Sequence, residues 1–441
     1  MDRLPAKPAT IALHTLANGV TLLAIPMPQV QSASVGVFLR VGSRDETPAT
    51  NGIGHVLEHM AFKGTTTRSV QAINLDAERL GADVNAFTGK DSTGYFMTGL
   101  GRHAEQLLRM TADIVLNSTF PDTELQRELE VIRQEAIEYE EDPEDGSSEL
   151  LDRAIWGDDP MGMPVIGTVG NIEGFTRHDL VRHVRSHYVA QKTVVAAAGN
   201  FDVDAWMALA GELFAAMPRS AEPDLPPPPA PAKYVGQAMA RRFTQVSQVF
   251  LNIAYPLAPP RREEMSQQRW RLAATLAANL FGGGMSAPLV DRVREQLGLA
   301  YTAHATMDSG DLWANFVVHA VTTPDQLEAL VTETGGLLRA QATAIDPVHL
   351  ERAKNQLTVS RVRAGERTYA TMEQAVEELF ASATVTPMAE AMAMIDDIRA
   401  EEVRVVFERM LANPPALAIT GKGASARSAR QLADRLVAGV R

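Results

Sequence analysis

Apolar residues along this chain fall into two kinds of run, one at helical spacing and one strand-like, and both kinds recur in each half. Ala33 to Val41 and Thr193 to Gly199 read as strands toward the two ends of the first half. Gln248 to Ala254 and Leu417 to Gly421 echo them in the second. Between them, Ala104 to Val115 and Asp325 to Arg339 carry amphipathic helical patterns. A Pro-rich stretch with no apolar period, Pro218 to Lys233, separates the halves and predicts a stiff, extended linker. At 441 residues and 47.8 kDa the chain is too long for one ordinary core. It suits two domains of about 200 residues, expected over 1–217 and 234–441 with the linker at 218–233. The repeated order of runs suggests an internal duplication.

Two of the helical stripes carry chemistry. In the run from Ile53 to Met60, the apolar Ile53, Val56, Leu57 and Met60 leave little of the helix polar, and what remains is His55, Glu58 and His59. Imidazoles four residues apart lie one turn apart on one face, so both can reach a single metal ion. Glu58 shares that face and can act as a base on a water molecule, which together make the parts of metal-assisted hydrolysis. The competing reading is a surface helix with two histidines and a solvated Glu. A tetrahedral catalytic site also needs a third protein ligand. The second stripe begins at Phe120-Pro121-Asp122 and ends at Asp142-Pro143. Leu125, Glu128, Ile132 and Glu135 share one face of it. Burying unpaired carboxylates is costly, so Glu128 and Glu135 should face a cation or donors. The alternative is a charged helix face, because Glu124, Arg127, Glu130, Arg133 and Glu138 lie nearby.

The H-x-x-E-H run resembles the motif of the pitrilysin and mitochondrial-processing-peptidase family of zinc peptidases, the inverzincins. In that family a Glu follows seventy-six residues after the second His, and counting from His59 gives Glu135. A further Glu lies seven residues earlier, here Glu128. The flanks agree, at Leu16 to Leu23, Val41 to Glu46, Asn51 to Thr65 and Asn85 to Thr88. The resemblance implies one zinc ion per chain on His55, His59 and Glu135, with Glu58 as general base and Glu128 orienting the site. It extends to the second half, where the family keeps an Arg and a Tyr seven residues apart, here Arg294 and Tyr301 after the Gly-rich Gly282 to Gly284. A guanidinium and a phenol can donate to a peptide carbonyl or to the oxyanion formed on attack. Without the resemblance, Gly298-Leu-Ala-Tyr301 reads as a strand start with Tyr301 in a core.

What the resemblance implies covers nearly the whole chain. It predicts an α+β fold of two like domains, each a mainly antiparallel sheet with helices packed on it. Gly81 to Thr88 falls where relatives present an edge strand beside the zinc, so Asn85, Ala86 and Phe87 would pair with an extended peptide. Phe62 and Phe87 would line side-chain pockets or pack in the core, with equal support for each. The function implied is a zinc metalloendopeptidase working on short or unfolded peptides inside a clamshell dimer. A homodimer is the simplest arrangement, and a heterodimer with a related subunit is the other. The rival functions are a non-catalytic scaffold and a peptide-binding subunit whose partner cuts.

Composition narrows the field further. The absence of Cys excludes disulfides, thiol catalysis and thiolate zinc sites. A formal charge of −13 disfavours nucleic-acid binding. No apolar segment resembling a secretory signal opens the chain, and no uninterrupted apolar run of about eighteen residues occurs, so a cytoplasmic protein without a membrane span is expected.

Overall fold

The computed structural model describes residues 10–220, 233–258 and 265–438. Most of the expected linker, residues 221–232, lies outside the described residues. Eleven described strands form two sheets. The first contains β1 (Ala12–Thr15), β2 (Thr21–Pro26), β3 (Ser32–Leu39), β4 (Asp83–Thr88), β5 (Thr93–Leu100) and β6 (Thr193–Gly199), in the order β1-β2-β6-β3-β5-β4. The second contains β7 (Ala238–Arg242), β8 (Val249–Pro256), β9 (Thr302–Ser309), β10 (Ala314–Thr322) and β11 (Ala416–Gly421), in the order β7-β11-β8-β10-β9.

Leaving β1 aside, the two sheets have the same topology. Each places its own first, last, second, fourth and third strand side by side. In each the single parallel pair is first with last, β2 with β6 and β7 with β11, and every other pair is antiparallel. The duplication suggested by the sequence is therefore present in the fold, and the α+β architecture of two like domains is the one found.

Strands β2, β3 and β6 read as unbroken apolar runs because both faces of the first sheet are covered. Leu22, Val35, Val37 and Val195 face Leu107 and Leu108 of helix Ala104–Asn117 and Trp206 of helix Val203–Phe214. Leu23, Phe38 and Ala196 face Met372, Ala375 and Val376 of helix Thr368–Ser382. In the second sheet, Leu251, Ile253, Phe316 and Leu417 meet Trp270 and Phe281 of helix Gln267–Gly282, Leu330 and Phe407. Its other face, with Ala254, Val317 and Ala418, is covered by Leu151, Ile155 and Trp156 of helix Asp145–Trp156.

That second-face cover changes the domain organisation. The chain forms two compact units, one of Met1–Ala136, Pro164–Pro229 and Arg363–Val385, the other of Ile137–Met163, Ala230–Val362 and Thr386–Arg441. A cut at 217 and 234 separates the strands but not the helices. The helix on the second face of each sheet comes from the other half of the sequence, because each sheet has an apolar face that its own half leaves bare. Among the described residues no helix is long and apolar enough to cross a membrane.

Candidate metal centre

Helix Ile53–Ala61 buries Ile53, Val56, Leu57 and Met60 against Leu125, Leu129 and Ile132 of helix Asp122–Glu141, and against Ile166, Ile172 and Leu180. The packing turns the remaining flank, with His55, Glu58 and His59, toward Glu128 and Glu135. The fully apolar stripe of the second helix is Leu125, Leu129, Ile132 and Ala136. Glu128 and Glu135 sit at its border and are half-buried.

His55, His59 and Glu135 offer ligand atoms that all lie within 4.8 Å of one another. The Nε2 of His55 is 3.9 Å from one oxygen of Glu135, and the Nε2 of His59 is 3.6 Å from the other. Those separations are too long for hydrogen bonds. They approach the spacing of roughly 3.3 Å expected between donors each about 2 Å from a shared tetrahedral ion. Burial, helped by neighbouring His59, holds the His55 imidazole down at about 4, so it is neutral and free to ligate. The donor set of two imidazoles and a carboxylate fits zinc with a fourth position open.

The remaining groups order this trio. Glu128 faces the Nδ1 of His59 at 3.2 Å, which leaves Nε2 turned toward Glu135. Lys63, just past the end of the helix that carries His59, holds the other oxygen of Glu128 at 2.7 Å. Glu58 is half-buried, and burial pushes its carboxyl up while a hydrogen bond with Thr88 at the end of β4 opposes the shift. Strand β4 is an edge of the first sheet and lies beside the metal helix. Asn85 is exposed there, Ala86 packs on the face covered by helices Ala104–Asn117 and Val203–Phe214, and the Phe87 ring packs against Phe38 and Phe96 on the face covered by helix Thr368–Ser382. Phe62 packs near Tyr95 in the first core. Both rings touch the core and are half-buried.

In the second unit, Tyr301 is 78 % exposed, which overturns its reading as a core residue. Arg294 lies in the short helical stretch Asp291–Gln296 and sets its guanidinium 5.3 Å from the Tyr301 ring centre, so the pair forms one solvent-facing donor surface. The Gly-rich turn nearby is held by Arg352, which donates to the carbonyls of Gly283 and Leu280. Sequence reasoning passed over Lys63, Glu46 and Arg352. The spacing of four from His59 to Lys63 was the available signal for the first.

A family model described as insulinase (peptidase family M16) matches residues 22–169, which include the whole His/Glu cluster. A second, described as the peptidase M16 inactive domain, matches residues 174–357, which include Arg294 and Tyr301. The chain belongs to peptidase family M16. An uncharacterized zinc protease of Rickettsia felis is 31 % identical over 412 residues, covering 93 % of this chain and 97 % of that protein. Another, of Mycobacterium tuberculosis, is 31 % identical over 437 residues, covering 97 % and 98 %. Among solved structures, a protease from Helicobacter pylori superposes with a TM-score of 0.83 at 19 % identity, covering 93 % of this chain and 99 % of that one. Complex III2 from Candida albicans contains a chain with a TM-score of 0.80 at 18 % identity, covering 97 % and 100 %. At such identities the likeness is one of fold.

Proposed function

We propose that this M16 chain is a zinc-dependent endopeptidase for short or unfolded peptides, with one ion per chain on His55, His59 and Glu135. The observation that carries the reading is the convergence of those three donors within 4.8 Å, with Glu58 on the same helix. The zinc-protease names of its relatives support it. A zinc ion bound there would polarise the scissile carbonyl and bring the pKa of a water molecule from about 16 toward about 7.

The chain's own groups do the rest. Glu58 takes the proton from the attacking water and delivers it to the leaving amine. Glu128, braced by Lys63, keeps the His59 ring turned so that Nε2 faces inward. Arg294 and Tyr301 donate to the peptide backbone or the developing oxyanion. An extended peptide adds to the open edge of β4 along Asn85, Ala86 and Phe87, pairing with the backbone groups there that face away from β5, those of Ala86 first. A folded substrate has no free strand edge to offer, which restricts the enzyme to short or unfolded chains. The working assembly is a homodimer, with a heterodimer of related subunits as the alternative.

A quenched fluorogenic peptide library tests the reading. Cleavage that is lost with chelator and regained with zinc is expected. A purified chain that holds one zinc yet cuts nothing would instead indicate a non-catalytic or partner-dependent peptide-binding subunit.

A further inference from the structure

The helix carrying His55, Glu58 and His59 begins in an unusual way. Its N-cap residue is Gly52, in the left-handed region at φ 98°, and supplies no side-chain cap. No side chain fits there, since a Cβ on Gly52 would come within 2.7 Å of the Gly167 backbone. The unpaired N–H groups of the first turn must therefore find acceptors elsewhere. The Ile53 N–H finds the Thr50 carbonyl at 3.0 Å, and the Gly54 N–H, with that of the N-cap Gly52 itself, finds the carboxyl of Glu46, only 4 % exposed. One of its oxygens accepts from the Gly54 N–H at 2.9 Å. The other accepts from the Gly52 N–H at 2.8 Å and from Asn51 Nδ2 at 3.2 Å. Asn51 also donates to the Pro164 carbonyl at 2.8 Å, so the turn is tied down on two sides.

The two histidines differ in how they are held. His59 is oriented by Glu128 at its second ring nitrogen. The corresponding Nδ1 of His55 is buried and has no hydrogen-bond partner among the described residues. His55 therefore takes its position from its backbone, and the residue just before it, Gly54, is the one Glu46 grips. We propose that Glu46 is a positioning residue for the metal centre, doing through the first helical turn for His55 what Glu128 does directly for His59. The proposal rests on the His55/His59/Glu135 reading of the metal site.

The test is titration of the full-length chain with cobalt(II) alone, following the visible ligand-field bands, with far-UV circular dichroism as the check on folding. Glu46→Gln keeps size and shape but turns an amide NH2 toward backbone donors. Glu46→Asp keeps two acceptor oxygens but shortens the reach. If the acceptor role is correct, cobalt affinity falls from wild type to Asp to Gln, the last by about tenfold or more, with altered band intensities. If Glu46 only fills space, Gln binds like wild type and Asp is the worse variant, which overturns the proposal. Should Glu46→Gln not fold, Glu46→Met, which keeps the length of the side chain without its acceptor oxygens, takes its place: a folded Glu46→Met chain with wild-type cobalt affinity overturns the proposal, and one that binds more weakly than Glu46→Asp supports it. A wild-type chain that develops no cobalt bands defeats the metal site itself, and the proposal with it.

Discussion

At the scale of single residues, the site is a chain of hydrogen-bonded charges reaching outward from His59. Glu128 touches the ring, and Lys63 touches Glu128. Removing Glu128 should weaken metal binding by about 10–100-fold. Lys63→Met, which leaves the carboxylate in place without its brace, should cost less than Glu128→Ala. Competition with a chromophoric chelator measures both, and a Lys63 variant at least as damaging as the Glu128 variant would contradict this order. Another buried histidine sets an acid limit on the fold. Burial, then His187 and Lys192, holds His183 at about 3 against its ordinary 6.5. The unfolded chain thus binds a proton there between about pH 3 and 6.5 that the folded chain does not. Its contribution to stability is present above 6.5 and is lost progressively as the pH falls through that window, by at most about 1.4 kcal/mol per pH unit. His183→Gln should narrow the gap between urea midpoints at pH 7 and pH 5, and an unchanged gap would exclude this source. His55 and His59 were legible as a candidate pair because spacing on one helix fixes which side chains share a face, whereas Glu135, on a different helix, was singled out only by the family's seventy-six-residue interval. Glu46 was not, because nothing local says that its carboxyl folds back onto Gly52 and Gly54.

At the scale of elements, periodicity located the strands and helices well but not their cover. Helix Asp122–Glu141 and strand β6 lie where their patterns placed them. The pairing of helix Thr368–Ser382 with the first sheet, through Met372 against Gly36 and the stacking of Phe96 on Tyr369 at 4.1 Å, has no signature in either segment alone. Phe62 and Phe87 remained open for the same reason, since pocket and core ask for the same ring. Two helical glycines give contrasting predictions. Gly282 ends its helix against β9, where an added Cβ would meet the Ala305 backbone nitrogen at 2.3 Å. Gly282→Ala should therefore destabilise by about 1–3 kcal/mol through overpacking. Gly336, exposed within helix Leu327–Thr343, has nothing within 4 Å of such an atom. Gly336→Ala should stabilise by about 0.5–1 kcal/mol through helix propensity. Urea denaturation of the pair reads both, and shifts of the same sign would refute the packing account at Gly282.

At the scale of the whole molecule, the proposed chemistry is divided between the two halves of the duplicated fold. The metal donors and Glu58 belong to the unit built on the first sheet, and Arg294 and Tyr301 to the unit built on the second. In the proposed homodimer, each site would be completed by the Arg/Tyr surface of the partner copy. Two inactive chains can test that arrangement. Glu58→Gln lacks the base but keeps its Arg/Tyr pair, while Arg294→Ala/Tyr301→Phe keeps the base and lacks the donors. Each alone should be nearly silent, with zinc still bound. After dissociation and reassociation as an equal mixture, half of the dimers are mixed, and each mixed dimer has one site with every group intact. Activity should then return to about a quarter of the wild-type value, because random exchange in a two-fold dimer leaves one site in four complete. If each chain used its own Arg/Tyr pair, every site in the mixture would lack one contribution, and mixing would restore nothing. Recovery without a dimer in gel filtration would also count against the arrangement, since complementation requires the two copies to meet.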